Sequence, residues 1–203
     1  MMDGMRVSPQ AGGPLGPGRP IGVRFDQVVA AANAGGDWAW RELYRGYAPA
    51  VDRFLRARGV PDAEDLVGET FLRVVRHLDR FSGDEGDFRA WVFAIARNLV
   101  VDAARRNTRR PAEATPTGVL QSLAPVGDAE HEAMGTLGTA EAIRILSELT
   151  DDQRDVLLLR IIGDLSIAQV AEILGRREGA VKMLQARGLA TLRRRGSGEA
   201  VTP

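Results

Sequence analysis

The stretch Ser166-Ile167-Ala168-Gln169-Val170-Ala171-Glu172-Ile173-Leu174-Gly175-Arg176-Arg177-Glu178-Gly179-Ala180-Val181-Lys182-Met183-Leu184-Gln185-Ala186-Arg187 decides the fold. It reads as a short helix from Ser166 to Leu174, a turn at Gly175 and a longer helix from Arg177 to Arg195. Ser166 is a fitting N-cap, because its hydroxyl can accept from a backbone N–H of the first turn. Ala171 is small enough for close helix approach, Gly175 can take the positive φ of a tight turn, and Val181 can pack the second helix onto the first. That spacing is the helix-turn-helix unit. Its second helix would enter the major groove with Arg176, Arg177, Glu178, Lys182, Met183, Ala186 and Arg187 outward. Arginine can read guanine, glutamate can accept from cytosine, and Lys or Arg can clamp phosphates. A plain helical hairpin with a solvated charged face is the bland alternative, and the Arg193 to Arg195 cluster weighs against it.

Working outward, residues 139–149 and 151–162 form two amphipathic helical patterns before this unit. Upstream of them, from about Pro111 to Gly138, Pro116, Pro125 and scattered Gly, Ser and Thr read as a flexible acidic linker. Before the linker lies a second helical block. It comprises a short helix at 26–34, a longer one at 37–58 with Trp40, Leu43, Tyr44, Tyr47, Val51, Phe54 and Leu55 on one side, and a third beginning at Asp62. Gly59 and Pro61 end the second helix, and the Asp62 side chain is expected to cap the third. The third helix carries an apolar stripe of Leu66, Val67, Thr70, Phe71, Val74, Val75 and Leu78. A fourth helix is expected from Phe88 to about Arg106 after a polar loop, burying Trp91, Val92, Ile95 and Leu99. No alternating strand pattern occurs, so the expectation is an all-α chain of two small helical domains joined by a flexible linker. The expected divisions are a Gly/Pro-rich tail at 1–24, a domain at 25–110, the linker at 111–138, a domain at 139–195 and a tail at 196–203.

The 203 residues carry 27 basic and 27 acidic side chains, a balance that on its face argues against a nucleic-acid binder. The distribution argues otherwise. Arg97, Arg105, Arg106, Arg109 and Arg110 fall in one segment with only Asp102 opposing them, and residues 176–195 are similarly basic, whereas 111–140 has no Lys or Arg. Segregated charge of this kind suits local phosphate contacts. The preference for Arg over Lys, beside much Ala and Gly, is read as the codon usage of a GC-rich genome. With no cysteine and only His77 and His131, neither a disulfide framework nor a metal site is expected. No apolar run approaches a bilayer span, and the N-terminal residues lack a secretory core, so a cytoplasmic location without membrane contact is expected. No phosphate-binding loop or nucleophile with a histidine partner appears, so neither catalysis nor a cofactor is expected.

Two further groups of residues invite function. On the fourth helix, Arg97, Asn98, Asp102 and Arg105 share the polar side, with Phe81, Ser82 and Phe88 at the adjoining loop. Stacking aromatics beside a basic surface are what single-strand capture requires. Basic residues also complement a helix C-terminus, and phenylalanines are commonly core, so both readings stand open on the residues alone. At the start of the third helix Asp62, Glu64, Asp65 and Glu69 are acidic, as a helix dipole favours. Asp65, Glu69 and Arg73 are also spaced i, i+4 on a single stripe, which a protein partner could use.

The run Asp62-Ala63-Glu64-Asp65-Leu66-Val67-Gly68-Glu69-Thr70-Phe71-Leu72-Arg73-Val74 closely resembles region 2.2 of the bacterial extracytoplasmic-function (ECF) group of RNA polymerase sigma factors. Phe88-Arg89-Ala90-Trp91-Val92-Phe93-Ala94-Ile95-Ala96-Arg97-Asn98 with Asp102 and Arg105-Arg106 resembles their regions 2.3 and 2.4, and Leu149-Thr150 with Gln153-Arg154 through Leu192 resembles region 4. The resemblance implies that Asp62, Asp65, Leu66, Glu69 and Arg73 bind core RNA polymerase (β and β′ subunits), the acidic helix meeting the β′ clamp helices. It implies that Phe81, Ser82, Phe88, Arg97, Asn98, Asp102, Arg105 and Arg106 serve the −10 element, with a flipped base received near Asn98 and Asp102, and that the helix-turn-helix reads the −35 element. It also implies a linker that threads the RNA exit path and a partner anti-sigma protein, and no further domain after Arg195. Gly68 stands where the family usually has Gln, and Ala180-Val181-Lys182-Met183-Leu184 departs from the usual Thr-Val-Lys/Arg-Ser-Arg run. Weaker core binding and an unborrowed −35 sequence are the expectations. The alternatives are a stand-alone helix-turn-helix transcriptional regulator and a sigma-mimic decoy that titrates an anti-sigma factor.

Overall fold

The computed structural model describes residues 21–109 and 142–198, and every regular element among them is helical. The linker at 111–138, residues 139–141 and most of both tails lie outside the described residues. The first block contains α1 (Phe25–Asn33), α2 (Asp37–Ala57), α3 (Ala63–His77) and α4 (Glu85–Arg109), with short 3₁₀ turns at Gly22–Arg24 and Leu78–Arg80. The second contains α5 (142–147), α6 (Asp151–Ile161), α7 (Ile167–Leu174) and α8 (Glu178–Gly198). None of these helices is long and apolar enough to cross a membrane.

In the first block α2 is the central strut, with Leu43, Tyr47, Val51, Phe54 and Leu55 buried. Val67, Thr70, Phe71 and Val74 of α3 pack beside it, and the buried Thr70 hydroxyl donates to the Leu66 carbonyl at 2.7 Å. The α4 face is rotated from the one expected. Phe88, Val92, Phe93, Ala96 and Leu99 are buried, whereas Trp91 and Ile95 are only partly so. Phe93 is drawn inward by an edge-on contact with Phe54 at 5.6 Å. The start of α4 also falls earlier than Phe88. Asp84 and Asp87 each accept the other's backbone N–H, at 2.9 and 3.1 Å, so the expected polar loop supplies the helix's own cap.

Asp62 does not cap α3 with its side chain, contrary to expectation. Its backbone, at φ −102° and ψ 57°, is outside the extended region that aims a capping side chain at the first turn, and only its carbonyl enters the helix, accepting from Leu66 at 3.3 Å. Its carboxylate still favours the positive end of the helix dipole. At the other end of the block, Glu85 ties the chain entry to the core. It accepts from the N–H groups of Ile21 and Gly22 at 2.6 and 2.7 Å and from the Tyr47 hydroxyl at 2.9 Å. Burial, with the Glu85 carboxylate next, pushes the Tyr47 hydroxyl well above the ordinary tyrosine range, so it stays a donor.

The second block is built as its sequence indicates. Thr150 and Ser166 each complete a capping box, with Gln153 and Gln169 respectively. Gly175 sits at φ 61°, and Ala171 and Val181 are buried between α7 and α8. Where α8 crosses α6, a Cβ at Gly188 would lie 3.0 Å from Leu157 Cδ1, so any side chain there would require Leu157 to shift. The two blocks lie against each other, α6 on α2 and α7 on α4.

Candidate polymerase and promoter interfaces

The acidic stripe of α3 forms as its spacing indicates. Asp65 is exposed, and Glu69 pairs with Arg73 at 3.0 Å one turn on, each half-buried. This pair partly neutralises itself, leaving Asp62, Glu64 and Asp65 as the outward carboxylates. Beside them is a surface that helical periodicity places in the core. Tyr44 and Val75, expected within buried stripes, are 47% and 51% exposed, alongside Leu72 at 51%. A groove of about 310 Å³ lies between Trp40, Arg41, Tyr44, Arg45, Phe71 and Val75. The apolar arcs of α2 and α3 are wider than their mutual contact. Among the described residues no element covers their outer edge, where Tyr44 rests on Phe71 at 4.8 Å. The signal available in the sequence was the count of apolar positions on α3, more than one packed face needs.

The residues assigned to strand capture divide between two clefts on α4. The larger, about 780 Å³, is lined on one side by His77, Arg80, Phe81, Ser82, Trp91 and Asn98, and on the other by Gln169, Glu172 and Ile173 of α7. Phe81 lies nearly parallel to Trp91 at 5.4 Å, giving the cleft an aromatic floor. Phe88 is not part of it. Its ring is fully buried, 5.5 Å from Phe25 and 5.0 Å from Tyr47, so it is a core residue and is withdrawn from the base-contacting set. His77 and Arg80 also line the cleft, neither having been assigned a site role from the sequence, and so does Trp91, which the helical spacing places in the core.

Arg97 faces the second cleft, about 420 Å³, together with Arg58, Arg105 and three acids of α6. Its Nε donates to Asp155 Oδ2 at 3.1 Å. Consecutive helical residues point about 100° apart, and here the expected common face of Arg97 and Asn98 is divided, Asn98 lining the first cleft and Arg97 the second. Asn98, Asp102 and Arg105 are exposed along one side of α4, and the Arg106 side chain lies outside the described ones.

On α8 and the preceding turn, Arg176, Arg177, Glu178, Lys182, Met183, Ala186 and Arg187 are all exposed. Met183 is 54% exposed, a large apolar side chain presented to solvent amid charge. Arg176 bonds Asp152 of α6 at 2.5 Å, and Lys182 lies 3.9 Å from Glu178. In the α5–α6 turn, Arg154 donates to the carbonyls of Leu146 and Leu149 at 2.8 and 3.2 Å. The side chain thus closes the α5 end, while burial, followed by the nearby Arg58, lowers its pKa.

A two-block helical chain with these surfaces has the form of a transcription initiation factor, and comparison with known proteins specifies the class. Residues 43–110 match Sigma-70 region 2, and residues 139–192 match Sigma-70 region 4. The chain is 35% identical to the ECF RNA polymerase sigma factor BldN of Streptomyces coelicolor, over 85% of this chain and 66% of BldN. It is 33% identical to the ECF sigma factor SigD of Mycobacterium tuberculosis, over 85% of this chain and 84% of SigD. Among solved structures it is similar to CnrH in complex with the cytosolic domain of CnrY, at 26% identity and a TM-score of 0.63, covering 86% of this chain and 97% of that one. The chain belongs to the ECF sigma factors, which are regulators of transcription rather than enzymes.

Proposed function

We propose that this chain binds core RNA polymerase through its first block, recognises the −10 and −35 promoter elements, and promotes strand opening for transcription initiation in the cytoplasm. The observation that carries this reading is the joint presence, in one chain, of an acidic stripe on α3 and a helix-turn-helix whose outward residues are all exposed. Asp62, Asp65, Leu66, Glu69 and Arg73 hold the polymerase, assisted by the apolar edge at Tyr44, Leu72 and Val75. Phe81, Ser82, Asn98 and Asp102 receive the separated strand, and Arg97, Arg105 and Arg106 hold its backbone. Arg176, Arg177, Glu178, Lys182, Met183, Ala186 and Arg187 meet the −35 duplex. The division of labour is 25–110 for core and −10, and 139–195 for −35.

CnrH is in complex with the cytosolic domain of CnrY, and an anti-sigma protein is the partner proposed for this chain. The decisive experiment is run-off transcription with purified core polymerase on fragments of the source genome. Discrete transcripts absent with core alone are expected. A transcript pattern identical to that of core alone overturns the reading.

A further inference from the structure

Asp155 is the only acidic side chain among the described residues that is buried, at 2% exposure, and it sits where the two blocks meet. It lies on α6 in the run Asp155-Val156-Leu157-Leu158-Leu159, all of it buried. Its two oxygens face two arginines of the other block. Oδ2 accepts from Arg97 Nε at 3.1 Å, and Oδ1 lies 2.7 Å from Nε of Arg58, just past the end of α2. Arg58 also donates to Asp151 at 3.0 Å. A second tie joins the blocks farther along, where Gln169 Nε2 of α7 donates to the Gly86 carbonyl at 3.1 Å.

We infer that a clasp centred on Asp155 holds the second block against the first, and that this closed form withholds the strand-capture surface until the blocks are drawn apart. The inference rests on the sigma-factor reading above and adds to it the regulation of the same site. Two consequences of closure point this way. Arg97, assigned to the DNA backbone, has its guanidinium spent on Asp155. The cleft holding Phe81, Ser82 and Asn98 is walled by α7, whose Glu172 would repel an entering phosphate. The surface that covers the cleft is thus the chain's own helix-turn-helix block.

The energetics suit a reversible device. Asp155 is withdrawn from water and the Arg58 and Arg97 side chains partly so, and the Coulomb gain offsets that desolvation only where the hydrogen bonds are complete. Here they are incomplete. The Arg58 contact to Oδ1 is close but not aligned as a hydrogen bond, which leaves that oxygen without one. Separation of the blocks rehydrates all three ions. A partner that binds the open form more tightly therefore shifts the population by its differential affinity, and core polymerase engaging α3 and the −35 reader together is such a partner.

The absence of cysteine allows the test to be made on the full chain. Asp79 and Ala168 are exposed and lie in different blocks, so Asp79→Cys with Ala168→Cys accepts a pair of spin labels. Pulsed dipolar spectroscopy is expected to give a single short distance for the otherwise wild-type chain, and a longer, broader distribution with Asp155→Asn or on addition of core polymerase. In parallel, Asp155→Asn should bind a fluorescent mixed-sequence single-stranded DNA about fivefold more tightly than wild type without polymerase, as expected when a minority competent state becomes dominant. If either the distance or the affinity is unchanged, the clasp is overturned. Should Asp155→Asn lose helix content, Arg58→Gln loosens the same clasp while sparing Arg97, and its two readouts decide. Run-off transcription by the wild-type chain separates the two levels. Transcription with unaltered distances rejects the clasp alone, whereas no transcription rejects the sigma reading itself.

Discussion

The two arginine-bearing helices α4 and α8 look alike in the sequence, each ending a block in a basic cluster, yet the structure treats them differently. On α8 the outward side chains face solvent, and what fixes them is a few residues away: the Ser166 cap, the turn at Gly175 and the buried Val181. On α4 the corresponding arginine, Arg97, is turned toward Asp155, a residue 58 positions later in the chain. A reading surface fixed by local geometry stands ready whenever its helix forms. One shared between two domains depends on how those domains are arranged.

The comparison breaks most completely at Val181. An aspartate there would put an unpaired charge at a position with no exposure. Removing the compensation of a buried charge costs about 3–5 kcal/mol, a large part of the stability of so small a block. Val181→Asp is expected to abolish hydrogen-exchange protection in α6 to α8 and duplex binding with it, while α1 to α4 keep theirs. Loss of protection in both blocks together would mean that they fold as one unit and that the contrast between α4 and α8 is not a contrast between domains.

A slightly smaller effect is expected from Asp65→Arg combined with Glu69→Arg. Reversing charge against a complementary partner costs upward of about 2 kcal/mol, or roughly thirtyfold in affinity. Retention on immobilised core polymerase should fall accordingly, with duplex binding by α8 unaltered. Undiminished retention would detach α3 from the polymerase and leave the first block without its proposed partner.

Legibility in the sequence followed the range of the interactions. The helix-turn-helix was readable because Ser166, Ala171, Gly175 and Val181 act within a span of sixteen residues. The early start of α4 was not, because Asp84 and Asp87 cap each other inside a stretch whose composition suggests only a loop. Phe88 could have been platform or core. Its burial is decided by Phe25 and Tyr47, which arrive from α1 and α2. Tyr44 and Val75 show the opposite error, since helical periodicity reports which residues share a face and not whether another element covers it. Asp155 carried no signal, being one charge in an amphipathic pattern whose partners, Arg58 and Arg97, are joined to it only by the docking of the two blocks.

Gly68 offers a smaller change, again on the first block. A Cβ there meets nothing within 4 Å, so alanine fits without adjustment. Replacing a mid-helix glycine by alanine stabilises a helix by about 1 kcal/mol. Gly68→Ala should therefore raise the melting temperature of the chain by about 2–8 °C. Gly68→Gln restores the side chain usual in the family and should also tighten core binding. If Gln raises the melting temperature but not the affinity, the position is helical scaffolding beside the interface rather than part of it.

The smallest effect returns to the two arginine helices. Arg187 is exposed on the outward side of α8, one turn beyond Met183. A side chain that neutralises one phosphate releases about 0.9 of a counterion, so its loss lowers the salt slope of duplex binding by about one and weakens binding nearly uniformly across sequences. Arg187→Ala is expected to do this in a titration of the full chain against duplex DNA over a range of salt concentrations. Arg97→Ala in the same titration should leave the slope where it was, because that guanidinium is paired with Asp155. Equal changes in slope from both substitutions would show that Arg97 reaches DNA without any rearrangement of the blocks, and would erase the distinction between a helix that reads at once and one that must first be uncovered.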